Sequence, residues 1–327
     1  YKGYAIYKSS ISLKEQLFIR NELTMKPYMQ NSMSQSITFP IYLESEKKLY
    51  VPRFWGIQHF GIPKDVKIKH GENISLKFNG ELRDYQNNVI NAYLNEIGFN
   101  EPDGFKKGKG GSLIEIGCGK GKTVMALKII SLLAKKTAVI VHKTFLMNQW
   151  IERINQFLPG ARVGTIQGQV IDVKDKDIVL IMLQSISQKE YPEELFYDFG
   201  FVCCDECHHL SGEVFSKALQ KLNTKYLLGL SATMNRRDGL TKLFKMYLGE
   251  ICFKDTSVKE DNVLVKVIKY EVDDEDYGRE ETDFRGNPAY STMISKISNY
   301  NNRSELILSI LKTELFINSN QQFIILA

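Results

Sequence analysis

Residues 117–123 read Gly-Cys-Gly-Lys-Gly-Lys-Thr, between the apolar run Leu113-Ile114-Glu115-Ile116 and the apolar stretch Val124 to Ile130. Strand, glycine-rich turn, Lys-Thr pair and helix, in that order, make a loop that grips phosphate. Gly117, Gly119 and Gly121 can take positive φ and bring backbone N–H groups up to an anion, with Cys118 and Lys120 completing the turn. A helix opening at Lys122 aims the positive end of its dipole at the same point. Lys122 is expected to reach the β- and γ-phosphates of a nucleoside triphosphate, and the Thr123 hydroxyl to ligate Mg²⁺. The usual spacing places a further glycine where this chain has Ile116, so only the shorter form Cys-Gly-x-Gly-Lys-Thr is matched.

A second chemical element follows about eighty residues later. Phe201-Val202-Cys203-Cys204 is an apolar run that ends in Asp205-Glu206. At a strand end beside a phosphate loop, Asp205 is expected to hold Mg²⁺ through its water shell. Glu206 is expected to orient and deprotonate the attacking water. The neighbouring Cys203, Cys204, Cys207, His208 and His209 have the ligand types of a zinc site. A structural site usually needs a second pair, which the chain lacks, and alternation along a strand puts Cys203 and Cys204 on opposite faces.

These groups need a scaffold that brings strand ends together. From Ser112 to Lys254 strands and helices alternate. Strands are expected at 113–116, 138–142, 162–166, 178–182, 201–204 and 226–230, and helices at 122–135, 145–158, 212–222 and 240–248. Several strands are continuous Val/Ile/Leu runs, as strands buried on both faces are. The pattern predicts an α/β fold with a doubly wound parallel sheet and ligands at the carboxyl ends of its strands. Residues 1–80 read as a small mixed α/β accessory domain, with a helix over 13–23 and a hairpin of 36–43 with 48–52. Residues 81–254 form the nucleotide-binding domain. Residues 255–303 read as a linker or insertion with one strand-like stretch, 263–272. Residues 304–327 read as the first helix and strand of a further αβ domain. The chain begins at Tyr and stops in a strand-like run, as an internal fragment would.

The 327 residues are 43% hydrophobic and 25% charged, with a net charge of +5. Residues 1–75 hold eleven Lys and Arg against six Asp and Glu, a basic bias compatible with nucleic acid. No apolar run approaches the roughly 20 residues of a membrane span, and no membrane partner is expected. Five cysteines, three of them within five positions, do not make a disulfide framework and favour a reducing, intracellular compartment.

Taken together, the motifs resemble those of superfamily-two helicases and translocases, most closely the XPB-like group, which includes DNA-repair helicases and relatives in large DNA viruses. Residues 117–123 are similar to motif I, Asp205-Glu206-Cys207-His208 to the DExH box of motif II, and Ser231-Ala232-Thr233 to motif III. Leu82-Arg83-Asp84-Tyr85-Gln86 resembles the upstream element in which Arg83 and Gln86 would contact ATP, the glutamine reading adenine. Val139-Ile140-Val141-His142-Lys143 with Gln149-Trp150, Thr165-Ile166-Gln167-Gly168 and Met182-Leu183-Gln184-Ser185 are similar to the strand-contacting motifs. Arg236-Arg237-Asp238 stands where XPB has Arg-Glu-Asp, with the central charge reversed.

The resemblance implies a RecA-like domain that, with a second one truncated here, closes on ATP and Mg²⁺ and moves along DNA, single-stranded or forked. Glu206, Asp205 and Lys122 would carry catalysis, and His208, Ser231 and Thr233 would couple it to the strand. Lys143, Thr144, Gln167, Gly168, Gln184 and Arg236 would touch nucleic acid. Trp150 is expected to pack its helix against the sheet rather than stack on a base. Arginine fingers belong to the missing half, so this fragment is expected to bind nucleotide and hydrolyse it weakly. RNA is the alternative track. A duplex translocase and a nucleotide-responsive scaffold in a transcription or repair assembly are the alternative roles. Nucleus, cytoplasm, viral factory and virion are all compatible compartments.

Overall fold

The strongly apolar runs of the sequence become the central strands of one sheet. The computed structural model describes residues 3–26, 38–101, 108–206, 212–234, 241–256, 266–284 and 286–323. The chain divides into two units, Tyr1–Ser257 and Val258–Ala327.

The first unit opens with β1 (Tyr4–Tyr7), α1 (Leu13–Glu22), β2 (Thr24–Met25), β3 (Phe39–Pro40), β4 (Leu43–Glu44), β5 (Lys48–Val51) and α2 (Arg53–Phe60). Next come α3 (Asp84–Glu96), β6 (Gly111–Glu115), α4 (Lys122–Leu133), β7 (Thr137–Val141), α5 (Thr144–Phe157), β8 (Val163–Gln167), β9 (Val170–Ile171), β10 (Ile178–Met182) and α6 (Leu183–Gln188). It closes with β11 (Phe201–Cys204), α7 (Gly212–Lys221), β12 (Tyr226–Ser231), α8 (Thr241–Leu248) and β13 (Ile251–Lys254).

The large sheet runs β13-β6-β12-β11-β7-β10-β8-β9. All neighbours are parallel except the short edge strand β9, which is antiparallel to β8. Alternate residues feed two cores. Val139 and Val141 of β7 join α3, α4 and α5 on one face, while Ala138 and Ile140 join α6, α7 and α8 on the other. This is the doubly wound parallel sheet expected from the sequence, with helices on both faces. β12 lies between β6 and β11, which puts the Ser231 strand end beside both the glycine-rich turn and Asp205.

The amino-terminal region shares the second core. Ile6, Ile19, Leu49 and Trp55 are buried in one cluster with Leu113, Phe244 and Tyr247. Arg53 is buried, and its guanidinium donates to the carbonyls of Thr224, at 3.0 Å, and of Lys225 and Lys109, both at 3.3 Å. Tyr247 donates its hydroxyl to Ile41 O at 2.9 Å. Local structure here differs from the expected hairpin. Residues 36 and 37 lie outside the described residues; of 38–44 only Leu43–Glu44 pairs with β5, whereas Phe39–Pro40 pairs with Thr24–Met25. Pro40 has no N–H for a continuous ladder, and the strand is cut short there. The sheet is β1-β5-β4, with β1 unanticipated.

The described part of the second unit holds α9 (Glu275–Gly278), α10 (Tyr290–Ser298) and α11 (Asn301–Ile317). Asp274 caps α9 and accepts the Tyr300 hydroxyl at 2.7 Å. The strand-like stretch over 263–272 is not a strand where it is described: residues 266–272 have no regular structure, nor do 321–323. β-branched residues alone do not make a strand when no partner edge pairs with them.

Candidate nucleotide site and strand-contacting edge

Glycines at two positions let the turn after β6 close. Gly119 and Gly121 have φ of 75° and 82°, a region L-residues avoid. A Cβ on Gly121 would also strike Gln86 Nε2. Gly121 caps α4, so Lys122 and Thr123 begin the helix and free backbone N–H groups face the turn. Cys118 is exposed on the loop.

The upstream element is pinned to this turn. α3 starts after Arg83, whose N–H donates to Gln86 Oε1 at 3.0 Å. Gln86 Nε2 and the Tyr85 hydroxyl both donate to Lys120 O, at 3.2 and 2.5 Å. The Gln86 amide is therefore held by both its oxygen and its nitrogen against the glycine-rich turn, while the Arg83 side chain is exposed.

Across the sheet, β11 delivers the acidic pair. Lys122 is buried and its Nζ lies 3.2 Å from Glu206 Oε1, also donating to Ile116 O at 3.2 Å. Glu206 sits at φ 48°, a left-handed conformation that turns the chain sharply off the strand. Asp205 is buried. Its Oδ2 accepts from Trp150 Nε1 at 2.8 Å, and its Oδ1 accepts from the Glu206 N–H at 3.0 Å. Burial pushes the Asp205 carboxyl above its ordinary range, opposed by the Trp150 hydrogen bond. The Asp205 carboxylate and the Thr123 hydroxyl in the first turn of α4 are oxygen donors of the kind Mg²⁺ takes, and a divalent cation would favour the charged form of Asp205. The residues present therefore fit a magnesium–triphosphate. Ser231, fully buried at the end of β12, donates its hydroxyl to Thr233 O at 2.5 Å and accepts from Thr233 N at 3.3 Å, a closed turn next to both elements.

The strand-contacting candidates gather at the carboxyl ends of the neighbouring strands β7, β10 and β8. Gln167 Nε2 donates to Thr144 Oγ1 at 3.2 Å, Gln184 Nε2 to His142 O at 3.1 Å, and Gly168 N to Ser185 Oγ at 2.9 Å. Lys143, Thr144, Gly168 and Gln184 are exposed. His208 and Arg236 lie outside the described residues, as do Cys207 and His209. Among the described residues no cluster of His, Cys, Asp and Glu forms a metal site, and Cys203 and Cys204 are buried within β11. No helix among the described residues is long and apolar enough to cross a membrane.

Sequence reasoning placed Trp150 as a packing residue and did not see its hydrogen bond to Asp205. The two are 55 positions apart, and no local pattern signals the pairing.

Residues 79–236 match the family described as type III restriction enzyme, res subunit. Over 325 residues the chain is 31% identical to a protein of Acanthamoeba polyphaga mimivirus whose name places it among ATP-dependent RNA helicases, covering 96% of this chain and 60% of that protein. Over 213 residues it is 32% identical to the DNA 3'-5' translocase XPB2 of Sulfurisphaera tokodaii, covering 64% and 44% respectively. The crystal structure of bacteriophage T4 UvsW shares the fold, with TM-score 0.50 and 16% identity over 74% of this chain and 53% of that one. The chain spans about half the length of the curated relatives it matches.

Proposed function

We propose that this chain, which belongs to the superfamily-two helicases and translocases and to their XPB-like group, carries the nucleotide-gripping half of an ATP-driven DNA translocase. The observation that carries the reading is the 3.2 Å approach of Lys122 to Glu206, which joins the phosphate turn to the acidic strand end, with Asp205 beside it. Lys122 and the backbone of Gly117 to Gly121 hold the β- and γ-phosphates, and Gln86 and Arg83 lie toward the base side of the turn. Thr123 and Asp205 would hold Mg²⁺, which when bound would neutralise developing charge on the phosphates. Glu206 takes the proton of the attacking water. Until nucleotide binds, its ion pair with Lys122 keeps both groups engaged.

Nucleic acid follows the edge formed by Lys143, Thr144, Gln167, Gly168 and Gln184, where lysine, hydroxyl and backbone N–H groups suit phosphate contact. Ser231 and Thr233, between the two catalytic elements, pass nucleotide state toward that edge, together with His208. Arg236 adds a cation to the same track. Residues 1–80 serve as an accessory domain and 81–254 as the motor domain. Residues 255–303 link this motor domain to a second RecA-like domain opening at 304, which brings the arginine fingers, so the fragment alone hydrolyses slowly. The protein works inside cells or virions, in repair, transcription or replication assemblies.

DNA is favoured by the Arg83-to-Gln86 element and by the Arg236-Arg237-Asp238 segment. RNA is the competing track, favoured by the name of the mimiviral relative. Competition between single-stranded DNA and RNA for stimulation of ATP hydrolysis separates them: stimulation by RNA alone overturns the DNA reading. Full biological activity of a Glu206→Gln protein would instead support a nucleotide-responsive scaffold.

A further inference from the structure

We propose that Trp150 is a positioning residue that couples occupancy of the strand edge to the magnesium-holding carboxylate, through helix α5. The inference rests on the reading of Asp205 as a magnesium ligand and goes beyond it by assigning the residue that orients that ligand.

The geometry is specific. The indole Nε1–H of Trp150 donates to Asp205 Oδ2 at 2.8 Å, with Trp150 only 1% exposed and Asp205 6%. The backbone of Asp205 is fixed from the other side, its N–H donating to Ile140 O of β7 at 3.1 Å. With the backbone held, the carboxylate plane is set by two donors: the Glu206 N–H on Oδ1 and the indole on Oδ2. Only the second comes from a different element. A ring that merely filled the core would need no donor, and phenylalanine would fill most of the same volume.

That element is also the one that meets the strand. α5 begins at Thr144, capped by the exposed Lys143, and Thr144 Oγ1 is already tied to Gln167 at the end of β8. Trp150 follows Thr144 by six residues, about 9 Å along the axis at 1.5 Å per residue. Over that distance a hydrogen-bonded helix behaves as a rod. A phosphate drawn to Lys143 and Thr144 pulls on the same rod whose indole orients Asp205. Linkage then requires the converse: magnesium nucleotide alters strand affinity by the factor with which the strand alters magnesium nucleotide affinity.

The test uses the full chain with two replacements at this position, Trp150→Phe and Trp150 to benzothienylalanine, which keeps the bicyclic shape and removes only the donor. Binding of a fluorescent ATP analogue is titrated with Mg²⁺, with and without single-stranded DNA, alongside melting temperature and magnesium-free nucleotide binding. The expected result is a Mg²⁺ midpoint raised about tenfold in both variants, as for loss of one hydrogen bond to a charged group. DNA is expected to shift the midpoint of the parent chain and of neither variant; a parent midpoint that DNA leaves unmoved overturns the coupling. A midpoint and DNA response equal to the parent in a variant that melts and binds magnesium-free nucleotide normally overturns the proposal. So does loss of magnesium-free binding in the benzothienylalanine protein, which would show that the hydrogen bond supports the nucleotide site as a whole rather than its magnesium-holding carboxylate. If the parent itself fails to bind nucleotide with Mg²⁺, the nucleotide-site reading falls, and this one with it.

Discussion

Glu206 and Asp205 occupy adjacent positions yet meet different fates. Glu206 leaves the strand in a left-handed turn toward Lys122, whereas Asp205 points back beneath the helix layer into near-complete burial. Glu206→Gln is expected to lower the rate of ATP hydrolysis by about a hundredfold or more while nucleotide affinity is retained, as measured by single-turnover kinetics and equilibrium binding. Asp205→Asn is expected to gain melting temperature relative to the parent as pH rises in the magnesium-free protein. The sign follows from burial, which raises the folded-state pKa. The native state therefore keeps its proton longer than the unfolded chain, so this group's contribution falls as pH rises above the unfolded value. The difference in melting temperature between variant and parent should grow from pH 4 to pH 7; a constant difference would show that the carboxylate is not penalised by burial. Residue types and spacing sufficed to nominate these groups. Their separate environments were not legible, because burial of Asp205 and the indole above it come from elements far apart in sequence.

At the level of elements, legibility followed burial. β7, β10, β11 and β12 are buried along their whole length, and such strands announce themselves as unbroken apolar runs. α3 carried a readable signal that sequence analysis used only as a motif: Val89, Ile90, Tyr93, Leu94 and Ile97 recur at helical spacing and are all buried. The short strands β1 to β5 were harder, since two to four residues carry no periodicity. β4 is instead tied to α1 by Glu44, which meets Arg20 at 2.8 Å and Lys8 at 2.6 Å. The Arg20 and Lys8 partners hold the Glu44 carboxyl down at about 2. A depressed pKa contributes stability above the unfolded value, near 4.5, and loses it as pH falls toward 2. All three side chains are partly exposed and screened, so Glu44→Gln is expected to cost under about 1 kcal/mol in urea denaturation at pH 7, with the cost vanishing only as pH falls below about 2.

For the molecule as a whole, the first unit is built around a sheet whose two faces are finished by different parts of the chain. One face is covered by α3, α4 and α5. The other needs residues before 60 as well as α6 to α8. Arg53 joins these parts through three main-chain carbonyls, and burial lowers its guanidinium pKa to about 10. Arg53→Ala is expected to cost about 3 kcal/mol or more in chemical denaturation, since it leaves carbonyls buried without donors. A cost below 1 kcal/mol would show that water replaces the guanidinium. Sequence composition hinted at a separate leading module because its pattern changes near residue 80, and composition does not report which surfaces interlock. For anyone preparing a minimal motor, the practical outcome is that trimming to the motif-bearing region strips the lid from an oily surface. The shortened product should precipitate or bind hydrophobic dyes even though every residue proposed to contact nucleotide remains in it.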